Sequence, residues 1–191
     1  MGVEVGVTIP LERRLLYIPV LHIDANLINA RQKLPVVNRL EKWFEDGVIL
    51  INISATAHGE AQAGGDPMRT RKVNRQIFTT TPAVTASEAP CKQVETALFP
   101  DGARDENQRN DVRIVCEAIK YAAILVTNDG GSKTQPGGIL GNRNKLKDLV
   151  KILSPDEAVD CVRQQIQERD EFNVQLVKES GGELPTWAGR D

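Results

Sequence analysis

The chain has 191 residues, 40% apolar and only 4% aromatic, so it closes an aliphatic core and is too apolar for a disordered segment. Lys and Arg number 24 against 26 Asp and Glu, and the resulting net charge of −2 excludes a protein that coats nucleic acid through bulk charge. Three widely spaced cysteines with no Cys-x-x-Cys pair, and only two histidines, indicate neither a disulfide framework nor a zinc site.

Residues 3–9 alternate apolar and polar side chains and predict a half-buried strand. The run from Leu15 to Ile23 is almost continuously apolar and stops at Asp24. Pro19 cannot donate to a ladder, so the central strand is expected from about Val20, covered on both faces. A short helix is expected over 26–31. A firmer one spans 35–46, where Val36, Val37, Leu40, Trp43 and Phe44 share a face and Gly47 ends it. Residues 48–53 form a second buried strand. Ser54 then caps a helix that carries Glu60 and closes at Gly64-Gly65.

The stretch 66–108 mixes a basic run (Arg69, Arg71, Lys72, Arg75), a Thr/Pro turn at 79–82 and a helix over 87–98. It lacks a strong core pattern and reads as an insertion or lid. Asn110 is placed to cap a helix in which Val112, Val115, Cys116 and Ile119 fall at i, i+3, i+4 and i+7. A third strand over 123–126 runs into Thr127-Asn128-Asp129-Gly130. A Gly-rich loop and a basic helix over 141–147 (Arg143, Lys145, Lys147) follow, then a fourth strand at 150–153. Ser154-Pro155-Asp156-Glu157 is a capping box opening a helix to about residue 171, and the tail past Gly181 is expected to fray.

Strands alternating with helices at this spacing predict a three-layer α/β/α fold around a mainly parallel sheet of four to five strands. Residues 1–17 are an extension with an extra strand, 18–170 the domain, and 171–191 a tail. No apolar run approaches the roughly 20 residues of a membrane span, and Glu4 precedes any apolar stretch; no membrane contact and a cytoplasmic location are expected.

In such sheets the reactive crevice lies at the carboxyl ends of the strands. Asp24 ends the first central strand and Asp129 the third; Asp111 begins the helix leading into that third strand, and Glu60 sits in the helix after the second. Four carboxylates at one sheet edge repel unless something neutralises them, and a divalent cation does so. An oxygen-only ligand set favours Mg²⁺ or Mn²⁺ over zinc. A hard divalent ion on carboxylates most often serves phosphate chemistry, and phosphodiester hydrolysis by water suits a chain with no Ser/His/Asp or Cys/His constellation and no P-loop frame.

These residues carry a resemblance. Asp24-Ala25-Asn26-Leu27-Ile28 after an apolar strand, Ser54 with Glu60, Asp111 at a helix start, Thr127-Asn128-Asp129 after a strand, and residues 150–157 together resemble the PIN-domain ribonucleases over about residues 18–65 and 109–168. The ordered set, with Asp111 and Asp129 separated by 18 positions, is more specific than any one motif. The resemblance implies a divalent-metal-dependent endoribonuclease, toxin-type members included, with Asp24, Glu60, Asp111 and Asp129 as its acidic quartet. It implies that Asn26, Ser54 and Thr127 orient the ligands or the attacking water. It also allows a homo-oligomer and an antitoxin-like protein partner. The segment 66–108 is longer than small toxin-type members need.

Each acid also has a plain structural role open to it: Asp111 beside a helix dipole, Asp129 as a turn residue, Glu60 as a solvated helix residue. His22 reads as a satisfied core residue, His58 as a helix-surface histidine, and Cys116 and Cys161 as small core hydrophobes. Arg69, Arg71, Lys72 and Arg75, with Arg143, Lys145 and Lys147, are the candidates for holding an RNA backbone. A structure-specific DNA nuclease on a related fold, and a non-catalytic domain that binds RNA or protein, stay open beside the ribonuclease.

Overall fold

A computed structural model describes residues 13–29, 33–63, 67, 71, 78–84, 89–131 and 136–191. Five short strands, β1 (Leu21–Ile23), β2 (Ile51–Ser54), β3 (Thr79–Thr81), β4 (Ile124–Val126) and β5 (Ile152–Leu153), form one sheet in the order β3-β2-β1-β4-β5. Every pairing is parallel. β1 is central and wholly buried, as its lack of alternation demands.

The connecting helices are α1 (Ala25–Asn29), α2 (Pro35–Glu45), α3 (Ala55–Gln62), α4 (Ala89–Leu98), α5 (Glu106–Lys120), α6 (Gly138–Gly141), α7 (Arg143–Leu146) and α8 (Pro155–Ser180). They cover both faces of the sheet, giving the three-layer α/β/α arrangement. On α2, Val37, Leu40 and Trp43 face inward, and Gly47 leaves the helix at φ +72°, a conformation that costs glycine nothing. The core is aliphatic, built on Leu21, Ile23, Ile51, Ile53, Leu125 and Val126. None of the helices among the described residues is long and apolar enough to cross a membrane.

Several local expectations change once the chain is folded. The 79–82 segment is not only a turn: Thr79–Thr81 is the edge strand β3, paired with Asn52–Ser54. The strand expected over 3–9 and the closing Gly64-Gly65 lie outside the described residues. Part of 66–108 joins the body of the fold: Thr79–Thr81 pairs with β2, and Cys91, Val94 and Leu98 of α4 share one buried face against α5. Cys91 and Cys116 are paired as a disulfide, with Cα atoms 5.6 Å apart, because that packing brings together two positions 25 residues apart. Cys161 is free and only half-buried, with the Lys151 ammonium 3.6 Å from its sulfur.

α5 begins at Glu106, capped by the Asp105 side chain on the Gln108 amide (2.9 Å), so Asn110 lies inside the helix and does not cap it. The basic segment over 141–147 forms only the short helical turn α7, with α6 ending at Gly141 before it. α8 carries the expected Ser154/Glu157 capping box but runs to Ser180, because Asn173 and Leu176 extend its buried face and Gly181 (φ +72°) ends it. The tail does not fray. Trp187 stacks on the Arg169 guanidinium at 4.4 Å, and Asp191 reaches both Arg169 and Arg14. His22 is buried against Tyr121, but neither ring nitrogen has a hydrogen-bond partner among the described residues, and burial lowers its pKa to about 4.

Candidate active site

The sheet register sets the geometry. Ile23 pairs with Ile53 on one side and Val126 on the other, so the next residues, Asp24, Ser54 and Thr127, emerge together at the carboxyl edge. The Asp24 amide also bonds back to the Val126 carbonyl at 3.1 Å. Beyond that rung β1 and β2 turn directly into α1 and α3, and β4 into the loop that carries Asp129.

Asp24 is 5% exposed and is the best-supported side chain at this edge. Its Oδ1 accepts from the Ala25 amide at 2.6 Å; its Oδ2 accepts from Asn26 Nδ2 at 2.7 Å and from the Thr127 hydroxyl at 2.6 Å. Burial pushes the Asp24 carboxyl above the ordinary aspartate range; the three hydrogen bonds hold it down, and the charge of Asp129 pushes it up again. Asn26 reaches Thr127 Oγ1 as well, at 3.3 Å. Thr127, wholly buried, accepts from the Asp129 amide at 3.0 Å and so couples the two aspartates through one hydroxyl.

Glu60 projects from α3, the helix capped by the Ser54 hydroxyl on the Ala57 amide. Burial raises its carboxyl too; the Asn110 amide, donating at 2.9 Å, holds it down, and Asp24 raises it further. Asp24 is therefore within electrostatic reach of both Asp129 and Glu60. Asp111 is half-buried in the second turn of α5, not at a helix start, next to the Asn110 that binds Glu60. Among the described residues, no Lys or Arg forms an ion pair with Asp24, Glu60 or Asp129. No group of three or more His, Cys, Asp and Glu side chains among them is gathered tightly enough to hold an ion as it stands.

Of the three supporting polar residues, Asn26 and Thr127 touch Asp24, while the contact found for Ser54 is its helix cap. Asn110 is the site residue that sequence reasoning missed. It bridges Glu60 to Arg113, whose Nη1 donates to Asn110 Oδ1 at 2.8 Å. Its neighbour Asp111 was the available signal.

The basic candidates divide. Arg69, Lys72 and Arg75 lie outside the described residues, and Arg71 is exposed. Arg143 donates to Glu157 at 2.5 Å, Lys145 to the Ala97 carbonyl at 3.3 Å, and Lys147 is exposed. Arg143, Asn144 and Glu157 line a groove of about 500 Å³ that starts at Gly130, beside Asp129. The Arg143 guanidinium holds the Glu157 carboxyl at about 2, with help from the Ser154 amide.

Thr127→Val tests the coupling. Valine keeps the shape of threonine but leaves Asp24 one donor short and the Asp129 amide without its acceptor, at about 1–3 kcal/mol for an unsatisfied buried group. The expected result is a lower thermal midpoint and a Mn²⁺ affinity reduced about 10–100-fold, measured by calorimetry. An unchanged Mn²⁺ affinity would remove Thr127 from the site.

No family model matches the chain, and no curated protein matches it. Among solved structures, the chain is similar to VapBC2 from Rickettsia felis bound to a DNA fragment from its promoter, at 18% identity over 71% of this chain and 98% of that one, with a TM-score of 0.44. It is also similar to FitAB bound to an IR36 DNA fragment, at 17% identity over 71% of this chain and 94% of that one, with a TM-score of 0.45.

Proposed function

We propose that this chain is a PIN-like endoribonuclease that hydrolyses phosphodiester bonds of single-stranded RNA, with Mg²⁺ or Mn²⁺ held by Asp24, Glu60, Asp111 and Asp129. One observation carries the reading: a buried carboxylate, Asp24, is raised by burial and by a second acid, has three hydrogen bonds, and among the described residues has no cationic side chain to neutralise it. A structural aspartate at a helix entry does not need a second acid beside it. Oxygen donors alone fit a hard divalent ion.

When bound, such an ion supplies Lewis acidity to a phosphoryl oxygen and makes a bound water more acidic. The protein's own part is orientation. Asn26 and Thr127 fix both the rotamer and the charge of Asp24, and Asn110 does the same for Glu60. Because burial raises both carboxyls, protons compete with a cation for them as pH falls, so cation affinity should rise with pH.

The purified protein is expected to cleave a labelled single-stranded RNA with Mn²⁺, to stop in EDTA, and to gain thermal stability from Mn²⁺ alone. A panel of RNA and DNA single strands, hairpins and flaps assigns the substrate. Faster cleavage of DNA flaps would replace the ribonuclease reading, and no Mn²⁺-dependent stabilisation would end the metal site.

A further inference from the structure

Asp129 is held in an unusual way for a residue at a strand end. Its Oδ1 accepts from the Gly131 amide at 3.0 Å, and its Oδ2 accepts from the Ile139 amide at 2.7 Å, ten residues further along the chain. Its own carbonyl accepts from Leu140 at 3.1 Å. The chain thus leaves β4, comes back through an antiparallel bridge between Gly131 and Pro136, and closes over the Asp129 carboxylate from both sides.

The closure depends on one residue without a side chain. Gly138 sits at φ +53°, and a Cβ there would lie 2.3 Å from Asp129 Oδ2, 2.6 Å from its Cγ and 2.5 Å from the Gly131 nitrogen. These separations are shorter than any real contact, and two of the three atoms belong to the carboxylate itself. No other glycine among the described residues brings a Cβ so near a candidate site side chain.

We propose that Gly138 is a positioning residue for Asp129. By lacking a side chain, it lets the returning loop place the Ile139 amide on the carboxylate and fix the direction in which that carboxylate is presented beside Asp24. The consequence for cation binding rests on the ribonuclease reading above; the positioning itself does not. Each carboxylate oxygen keeps a lone pair free while it accepts an amide, so the clasp orients Asp129 without blocking it.

Gly138→Ala is compared with Gly47→Ala, which carries the same left-handed backbone strain at φ +72° with nothing within 4 Å of the added Cβ. Two readouts are taken: hydrogen exchange of the Ile139 amide by NMR, and Mn²⁺ affinity by calorimetry. Gly138→Ala is expected to speed Ile139 exchange at least about tenfold and to weaken Mn²⁺ binding about 10–100-fold, while Gly47→Ala changes neither. In an Asp129→Asn background, Gly138→Ala is expected to add no further loss of Mn²⁺ affinity, because the residue it acts through is already disabled.

Wild-type exchange at Ile139 in Gly138→Ala overturns the proposal, and so does an equal further loss of affinity in the Asp129→Asn background. If the wild-type protein binds no Mn²⁺, the metal reading fails, and the exchange measurement decides the positioning claim alone. If Gly138→Ala does not fold, Asp129→Ala, which leaves no acceptor, decides by the same readout: unaltered protection at Ile139 overturns the proposal, and lost protection supports it.

Discussion

Asp24→Asn is expected to lower RNA cleavage by about a thousand-fold or more while raising the thermal midpoint of the cation-free protein at neutral pH. The two effects share one cause. The Asp24 carboxylate is buried with the charge of Asp129 nearby, and the folded state pays for that charge whenever no cation is present. Asparagine removes the charge and keeps an oxygen for the Ala25 amide; the Thr127 hydroxyl and the Asn26 amide can each turn to meet the new NH₂ group. What it cannot replace is a negatively charged oxygen ligand.

The pH dependence has a definite sign. Asp24 and Glu60 both titrate above their ordinary values of 3.8 and 4.5 in the folded protein. The protonated form is therefore favoured on folding, and the stability it contributes is complete below those ordinary values and lost as pH rises through the raised ones. The opposite holds for Glu157, lowered to about 2 by Arg143 and the Ser154 amide, and for Asp46, lowered by Lys42. Their contribution is present above the ordinary carboxylate range and disappears as pH falls through the lowered values. In EDTA, the midpoint difference between Asp24→Asn and wild type should thus be near zero at about pH 4 and grow toward pH 8. Mn²⁺ should then reverse it by stabilising the wild type more. A difference that is flat with pH, or of the other sign, would mean that the buried charge is not the cost described.

Much of this edge was legible because it is written locally. A continuous apolar run that stops at an aspartate, a serine before a helix, and a Ser-Pro-Asp-Glu box each act within about one turn of chain, and β1, the Ser54 cap and the Ser154 box appear where those signals place them. The sharing of one hydroxyl by Asp24 and Asp129 was not legible. It depends on the register Ile23↔Val126, which joins residues about a hundred positions apart.

Other departures have the same origin. Asp105 and Asn110 are both good cap residues, and the apolar period from Val112 favoured the nearer one. The choice of Asp105 depends on Gln108, which is buried and whose side-chain oxygen accepts from the Arg104 amide at 2.7 Å. β3 is three threonines, two of them exposed, and such a segment becomes a strand only because β2 offers it an edge. The disulfide between Cys91 and Cys116 and the folded tail likewise depend on contacts between distant segments.

The largest loss of stability is expected at the opposite end of the strands. Asp191 has a fully buried side chain between two arginines: Arg14 Nε donates to it at 3.0 Å and Arg169 Nη2 at 2.9 Å. Arg169, with a side chain only 3% exposed, also donates to the Arg14 carbonyl at 2.6 Å and to Asp170. Asp191→Asn places an NH₂ donor against guanidinium donors and removes the carboxylate the two arginines share, leaving Arg169 with Asp170 at 2.8 Å. Breaking a buried pair costs about 3–5 kcal/mol when the remaining charge is uncompensated, and the loss here is expected to be about 3 kcal/mol because Arg169 keeps Asp170 and Arg14, a third exposed, lies 3.7 Å from Asp46. For a chain of this size that corresponds to roughly 6–12 °C in the thermal midpoint. Arg169→Met combined with Asp191→Leu should recover part of the loss, since it removes the buried guanidinium together with the carboxylate that balanced it. Arg14 precedes β1 at the amino edge of the sheet, where Leu16 bonds to Val48, so the Mn²⁺ affinity of the folded variant should match wild type. A fall in that affinity would mean that the two ends of the sheet are coupled, and a midpoint within a degree or two of wild type would show that the clasp contributes nothing to the fold.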